Sequence, residues 1–149
     1  MRPTIEAIDE AGLQRDKVVF EITETENVRD TNHLKNIVNY YRETGFRVAL
    51  DDIGSGYSSL NMVHKLRPDF IKLDMQLIRG VQDDLYKATV AEKVLEMAQS
   101  LGVETIVEGV EHRGELNWAR DKGASFAQGY LIARPSTPPL QDHLDLSYA

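Results

Sequence analysis

VALDDIGSGYSSLNMVHKLRPDFIKLD, residues 48–74, holds a strand, a helix and a second strand in one short stretch. Val48, Ala49 and Leu50 form an apolar run that ends on the acidic pair Asp51 and Asp52. Leu60, Val63 and Leu66 then recur at helical spacing, and Phe70 to Leu73 makes a second run that ends on Asp74. Pro68 stops the helix, because the residue before a proline is held out of the α region. Two strands with a helix between them pair in parallel, since an antiparallel pair needs only a tight turn.

The same unit repeats in both directions. Upstream, Val18 to Ile22 reads as a strand. Leu34, Ile37, Val38 and Tyr41 follow it on one helical face, with Asp30 or Thr31 as cap and Gly45 as stop. Downstream, Leu85, Ala88, Ala91, Val94, Leu95 and Ala98 predict one face of a long helix closed by Gly102. A strand over Glu104 to Val107 comes next, then a shorter helix around Leu116 and Ala119 closed by Gly123. A fifth strand is expected over Phe126 to Leu131, ahead of Pro135, Pro138 and Pro139. The class is therefore α/β, with about five parallel strands covered on both faces. No linker divides the chain, which reads as one folding unit over 1–138 and a tail over 139–149.

With 42% apolar and 28% charged residues, the 149-residue chain has the material for a packed core. Its formal charge of −7 argues against broad contact with DNA, which needs clustered Lys and Arg. The absence of cysteine excludes disulfides, thiolate zinc sites and a cysteine nucleophile, so a metal must be held by oxygen or imidazole. No run is apolar and long enough to be a membrane segment, and the N-terminus has no signal layout. A cytoplasmic protein is expected. His33, His64, His112 and His143 lack ligand spacing and are expected at the surface.

The ends of the strands carry the chemistry. Glu21 stands at the first, Asp51 and Asp52 at the second, Lys72 and Asp74 at the third, Glu108 at the fourth and Gln128 at the fifth. Any one acid here caps the next helix as readily as it serves a site. Five polar ends in succession point to function, because parallel strands deliver their carboxyl ends to one face. Carboxylates gathered there repel one another unless cations lie between them, and hard ions such as Mg²⁺ or Mn²⁺ suit oxygen donors. Paired ions of that kind typically hydrolyse phosphate esters, and Lys72 is the candidate for orienting water or offsetting charge. In the loop from Asp52 to Ser59 the third glycine of a dinucleotide fingerprint is absent. Its glycines read as a tight turn, with Tyr57 the one aromatic of interest.

Five motifs in register carry a resemblance: Phe20-Glu-Ile-Thr-Glu24, Asp51-Asp-Ile-Gly-Ser-Gly-Tyr-Ser-Ser-Leu60, Ile71-Lys-Leu-Asp74, Glu108-Gly-Val-Glu111, and Gln128-Gly-Tyr-Leu131 with Arg134-Pro135. The chain resembles the C-terminal portion of EAL domains. That resemblance implies a TIM-like (β/α) barrel that uses two Mg²⁺ or Mn²⁺ ions to open cyclic di-GMP to linear pGpG. By motif, Glu21 corresponds to a ligand of the first metal, Asp51 to the bridge, and Asp52 and Glu108 to ligands of the second. Lys72 corresponds to the lysine that holds the attacking water, and Glu24 to the anchor of the glycine loop. Asp74, Glu111, Gln128, Tyr57 and Pro135 correspond to supporting or substrate-binding positions.

The family's Glu-Ala-Leu signature and its metal-binding asparagine both lie upstream of the first residue here. A complete barrel takes ≈ 200 or more residues, so the expectation is a partial barrel without its N-terminal strands. An inactive or weakly active chain follows, either a phosphodiesterase portion or a non-catalytic module that binds cyclic di-GMP or a regulatory protein. An unrelated phosphohydrolase on a similar barrel is the third reading. The open edge at Val18 to Ile22 predicts a homodimer or strand-exchanged assembly, and an upstream sensory domain is a further expected partner.

Overall fold

The structure is a computed structural model that describes residues 2–23, 31–54 and 59–136. In chain order it comprises α1 (Arg2–Glu10), β1 (Val19–Ile22), α2 (Thr31–Glu43), β2 (Arg47–Ile53), α3 (Ser59–Leu66) and β3 (Phe70–Leu73). These are followed by α4 (Met75–Ile78), α5 (Leu85–Leu101), β4 (Glu104–Val107), α6 (Arg113–Asp121) and β5 (Phe126–Ala127). The sheet has the order β1-β2-β3-β4-β5, every pairing is parallel, and it is not closed. Each strand thus lies beside its sequence neighbour, with all carboxyl ends on one face.

Burial follows position in the sheet. All four residues of β3 are buried, the charged Lys72 among them, whereas the edge strand β1 is only half-buried and exposes Glu21. Leu50, Ile71, Leu73 and Val107 of the strands pack with Val38, Val63, Ala91 and Leu95 of the helices in one core. Each of the Val, Leu and Ile side chains among them contributes about 1.5–3 kcal/mol on burial. The helix limits have local causes. Asp84 Oδ1 accepts from the Lys87 amide at 3.0 Å to start α5, and Gly102, at φ 68°, ends it.

Four features depart from the sequence reading. Helix α1 was not foreseen, although Ile5 and Ile8 stand one turn apart and Ile5 is buried. The short α4 follows directly on Asp74, which caps it through a 2.7 Å bond from the Gln76 amide. Leu85 is 79% exposed, so the buried face of α5 is Ala91, Leu95 and Ala98. The fifth strand stops at Ala127 instead of Leu131. At Gly129 the chain lies so close to the Val110 backbone that no side chain fits, and the Ile132 and Ala133 amides turn back to the Gly129 carbonyl. His33, His64 and His112 are exposed as expected. His143, the helix-cap candidate Asp30 and the tail fall outside the described residues. Among the described residues no helix is long and apolar enough to cross a membrane.

Candidate metal centre

Lys72 is the hub of the carboxyl face. Its stem is enclosed by the sheet, leaving the residue 4% exposed, and its Nζ lies 3.0 Å from Glu21 Oε1, 3.2 Å from Asp51 Oδ1 and 2.9 Å from Glu108 Oε1. Residues from β1, β2 and the end of β4 therefore converge on one ammonium from β3. Burial alone pulls the lysine's pKa down. The bonds to Glu108, Glu21 and Asp51 outweigh that effect and hold it well above the ordinary 10.5, so Lys72 stays charged. Glu108 is pushed above its usual range, first by burial and then by the neighbouring charges of Asp51 and Glu21, against the opposing pull of Lys72.

The acidic pair depends on a break in the strand. Successive side chains of a regular strand point to opposite faces, which would separate Asp51 from Asp52. The register of β2 against β3 shifts between Leu50 and Ile53, and Asp52 adopts φ 59°, a left-handed conformation that Asp tolerates better than most residues. The Asp52 amide also donates to Asp51 Oδ1 at 2.9 Å. As a result Asp51, Asp52 and Glu108 each offer a carboxylate oxygen, all within 4.8 Å of one another. This all-oxygen set fits a hard divalent cation, and Glu21 is tied to it through the shared Lys72 ammonium.

Gln128, just beyond β5, donates through Nε2 to Glu108 Oε1 at 2.8 Å and so links the carboxylates to an adjoining cleft of about 800 Å³. Met75, Glu111, Gln128, Tyr130, Arg134 and Pro135 line that cleft, with the Arg134 guanidinium 4.5 Å above the centre of the Tyr130 ring. Glu111 pairs with Arg79. Its loop is fixed by Glu115, fully buried, which accepts from the amides of Gly80, Glu111 and His112 at 2.9, 2.8 and 3.0 Å. Burial would raise the Glu115 pKa, but these three backbone bonds prevail and lower it.

The structure thus gathers Glu21, Asp51, Asp52, Lys72, Glu108 and Gln128, and places Glu111 and Pro135 in the cleft beside them. Asp74 faces its own helix as a cap. Glu24 and Tyr57 lie outside the described residues. Tyr130, Arg134 and Glu115 were missed. The first two stand inside a quoted motif, whereas a surface-looking Glu four residues after Glu111 gave no sign of being buried.

A model of the EAL domain matches residues 1–135. The cyclic di-GMP phosphodiesterase RocR of Pseudomonas aeruginosa is 37% identical over 139 residues, which span 93% of this chain and 35% of that protein. Among solved structures, the standalone versatile EAL protein of Vibrio cholerae O395 in its c-di-GMP bound form has a TM-score of 0.86 and 38% identity. The match covers 91% of this chain and 57% of that one. The manganese/cy-diGMP complex of Klebsiella pneumoniae BlrP1 gives 0.83 and 32%, covering 89% of this chain and 34% of that one. The chain spans about a quarter of the length of the first curated relatives it matches, 24%, 23% and 24%.

Proposed function

The chain belongs to the EAL-domain family, and from that premise we propose that its acidic face is part of a two-metal site that hydrolyses cyclic di-GMP to linear pGpG. The observation that carries this reading is the convergence of Asp51, Asp52 and Glu108 oxygens within 4.8 Å beside a buried, charged lysine. In it, Asp51, Asp52, Glu108 and Glu21 hold Mg²⁺ or Mn²⁺. When bound, such ions acidify a water and offset charge on the phosphoryl oxygens.

The chain's own residues supply position. Lys72 keeps its proton, so it acts as a donor that orients water or an anionic oxygen and not as a base. Gln128 steers the Glu108 carboxylate. Tyr130 and Arg134 offer a stacked surface for a purine, and Glu111 an acceptor for its N–H edge. Glu24, Tyr57 and Pro135 are assigned supporting and substrate-contacting roles, and Asp74 positions α4 beneath the cleft. We place the active assembly as a homodimer or strand-exchanged form joined along the open edge of β1.

The test is Mn²⁺-dependent turnover of cyclic di-GMP by the protein and by Asp52→Asn. The variant is expected to lose about a hundredfold or more in rate while remaining folded. Equal, metal-independent turnover by both would overturn the reading. A second reading, a non-catalytic cyclic di-GMP-binding module, is favoured by the position of the cleft beside the carboxylates, where Glu111 and Gln128 can hold a ligand without metal. Calorimetry showing binding with no turnover in Mn²⁺ would select it.

A further inference from the structure

We propose that the groove between α2 and α3 is a second ligand site, one that takes a small phosphate-bearing anion. The groove encloses about 520 Å³ and is lined by Lys35, Asn39 and Arg42 of α2 with His64, Lys65 and Arg67 at the end of α3. No carboxylate lines it, in a chain whose formal charge is −7. It is separate from the acidic centre. Arg42 precedes β2 and Arg67 precedes β3, whereas the acids stand where the strands end.

The simplest alternative is that these cations offset the negative ends of two helices. That accounts for Arg42, which donates to the carbonyls of Leu66, at 3.0 Å, and Arg67 and faces Asp69 at 3.6 Å. It accounts also for His64, Lys65 and Arg67, which stand in or directly after the last turn of α3, but not for Lys35, two turns before α2 ends. Among the described residues Lys35, His64, Lys65 and Arg67 have no carboxylate partner. Like charges converging on one concavity raise one another's free energy unless an anion sits among them.

Arg67 stands in the lining of this groove with a distinctive backbone. Its φ is 48°, in the left-handed region, and it precedes Pro68. The Arg67 amide bonds back to Val63 at 2.9 Å, so this is a left-handed helix ending of a usual kind, and glycine adopts it at less cost than arginine. A ligand in the groove gives the arginine side chain a partner. The volume is that of a small-molecule site, and Lys35, Asn39, Arg42, Lys65 and Arg67 supply many donors around the apolar Leu66. That chemistry selects phosphate oxygens, as in a diphosphate or a phosphate monoester, over an apolar carboxylate.

The probe is inorganic pyrophosphate, titrated in metal-free buffer at about 0.15 M salt, where screening suppresses non-specific attraction. Two-dimensional amide NMR is expected to show saturable shifts at residues 35–42 and 64–67. Lys65→Glu and Arg67→Gly are expected to weaken binding by about tenfold or more. Arg67→Gly should do so without lowering the thermal midpoint, because glycine accepts the same backbone. Lys93→Glu, remote from the groove, should bind as the parent does. Shifts that do not saturate, that map to the carboxyl face, or that survive both groove substitutions would overturn the proposal. So would a groove that ignores pyrophosphate and responds only to an acidic peptide. Phosphodiester turnover plays no part in this readout, so loss of the catalytic reading would leave it standing.

Discussion

The chemistry at the carboxyl face rests on a single cation shared by three acids. Lys72→Met keeps the side chain's bulk and removes its charge, leaving Glu21, Asp51 and Glu108 to repel one another. It is expected to cost about 3 kcal/mol without metal, the low end for a broken buried pair because Glu21 is half exposed. Added Mn²⁺ should raise the thermal midpoint of the variant more than that of the parent, since the ion takes over the lysine's neutralising role. Scanning fluorimetry with and without the ion checks this. Glu115 is a second residue-scale case. Its pKa is depressed in the fold, so its contribution is fully present above the ordinary 4.5 and is lost as pH falls below that value. Glu115→Gln removes the charge, and the amide oxygen cannot serve three donors. It is expected to cost about 2 kcal/mol at pH 7 and less at pH 4 by urea denaturation. The acids of the centre were legible in the sequence because each follows an apolar run. Glu115 was not, since nothing in a helical Glu announces that three loop amides will close over it.

Among the elements, strand and helix limits were readable wherever a stop signal is local. Gly102 and Pro68 act on the residues beside them, and β4 ends where the apolar pair Ile106 and Val107 gives way to Glu108. Limits set by distant backbone were not readable. The β2 irregularity that brings Asp51 and Asp52 to one side arises from pairing with β3, and β5 is cut short by its approach to Val110. Gly129 is the test of that second point. Gly129→Ala drives a methyl group into the Val110 backbone, so the loop carrying Gln128 and Tyr130 must move. The expected loss is about 3 kcal/mol, together with displaced Tyr130 resonances at low denaturant, measured by denaturation and NMR.

For the molecule as a whole, the edge pairing proposed above turns on the open side of the sheet. The outer side of β1 pairs with no strand among the described residues, and the strand itself is only half-buried, its Phe20 packed on Tyr41 and Phe46. Sedimentation of the 149-residue chain is expected to show dimers or larger species at micromolar concentration, and a lysine at Val19 should shift the balance toward monomer. A uniform monomer would remove the edge-pairing proposal. The arrangement of strands in strict chain order has a different consequence, for folding. Each strand needs only the one before it, so structure can spread outward from the all-buried β3 with modest loop closure at every step. Amide exchange should then be slowest in β2, β3 and β4 and quicken toward both edges. The protein would loosen from its rims inward while Lys72, at its centre, keeps hold of its carboxylates to the last.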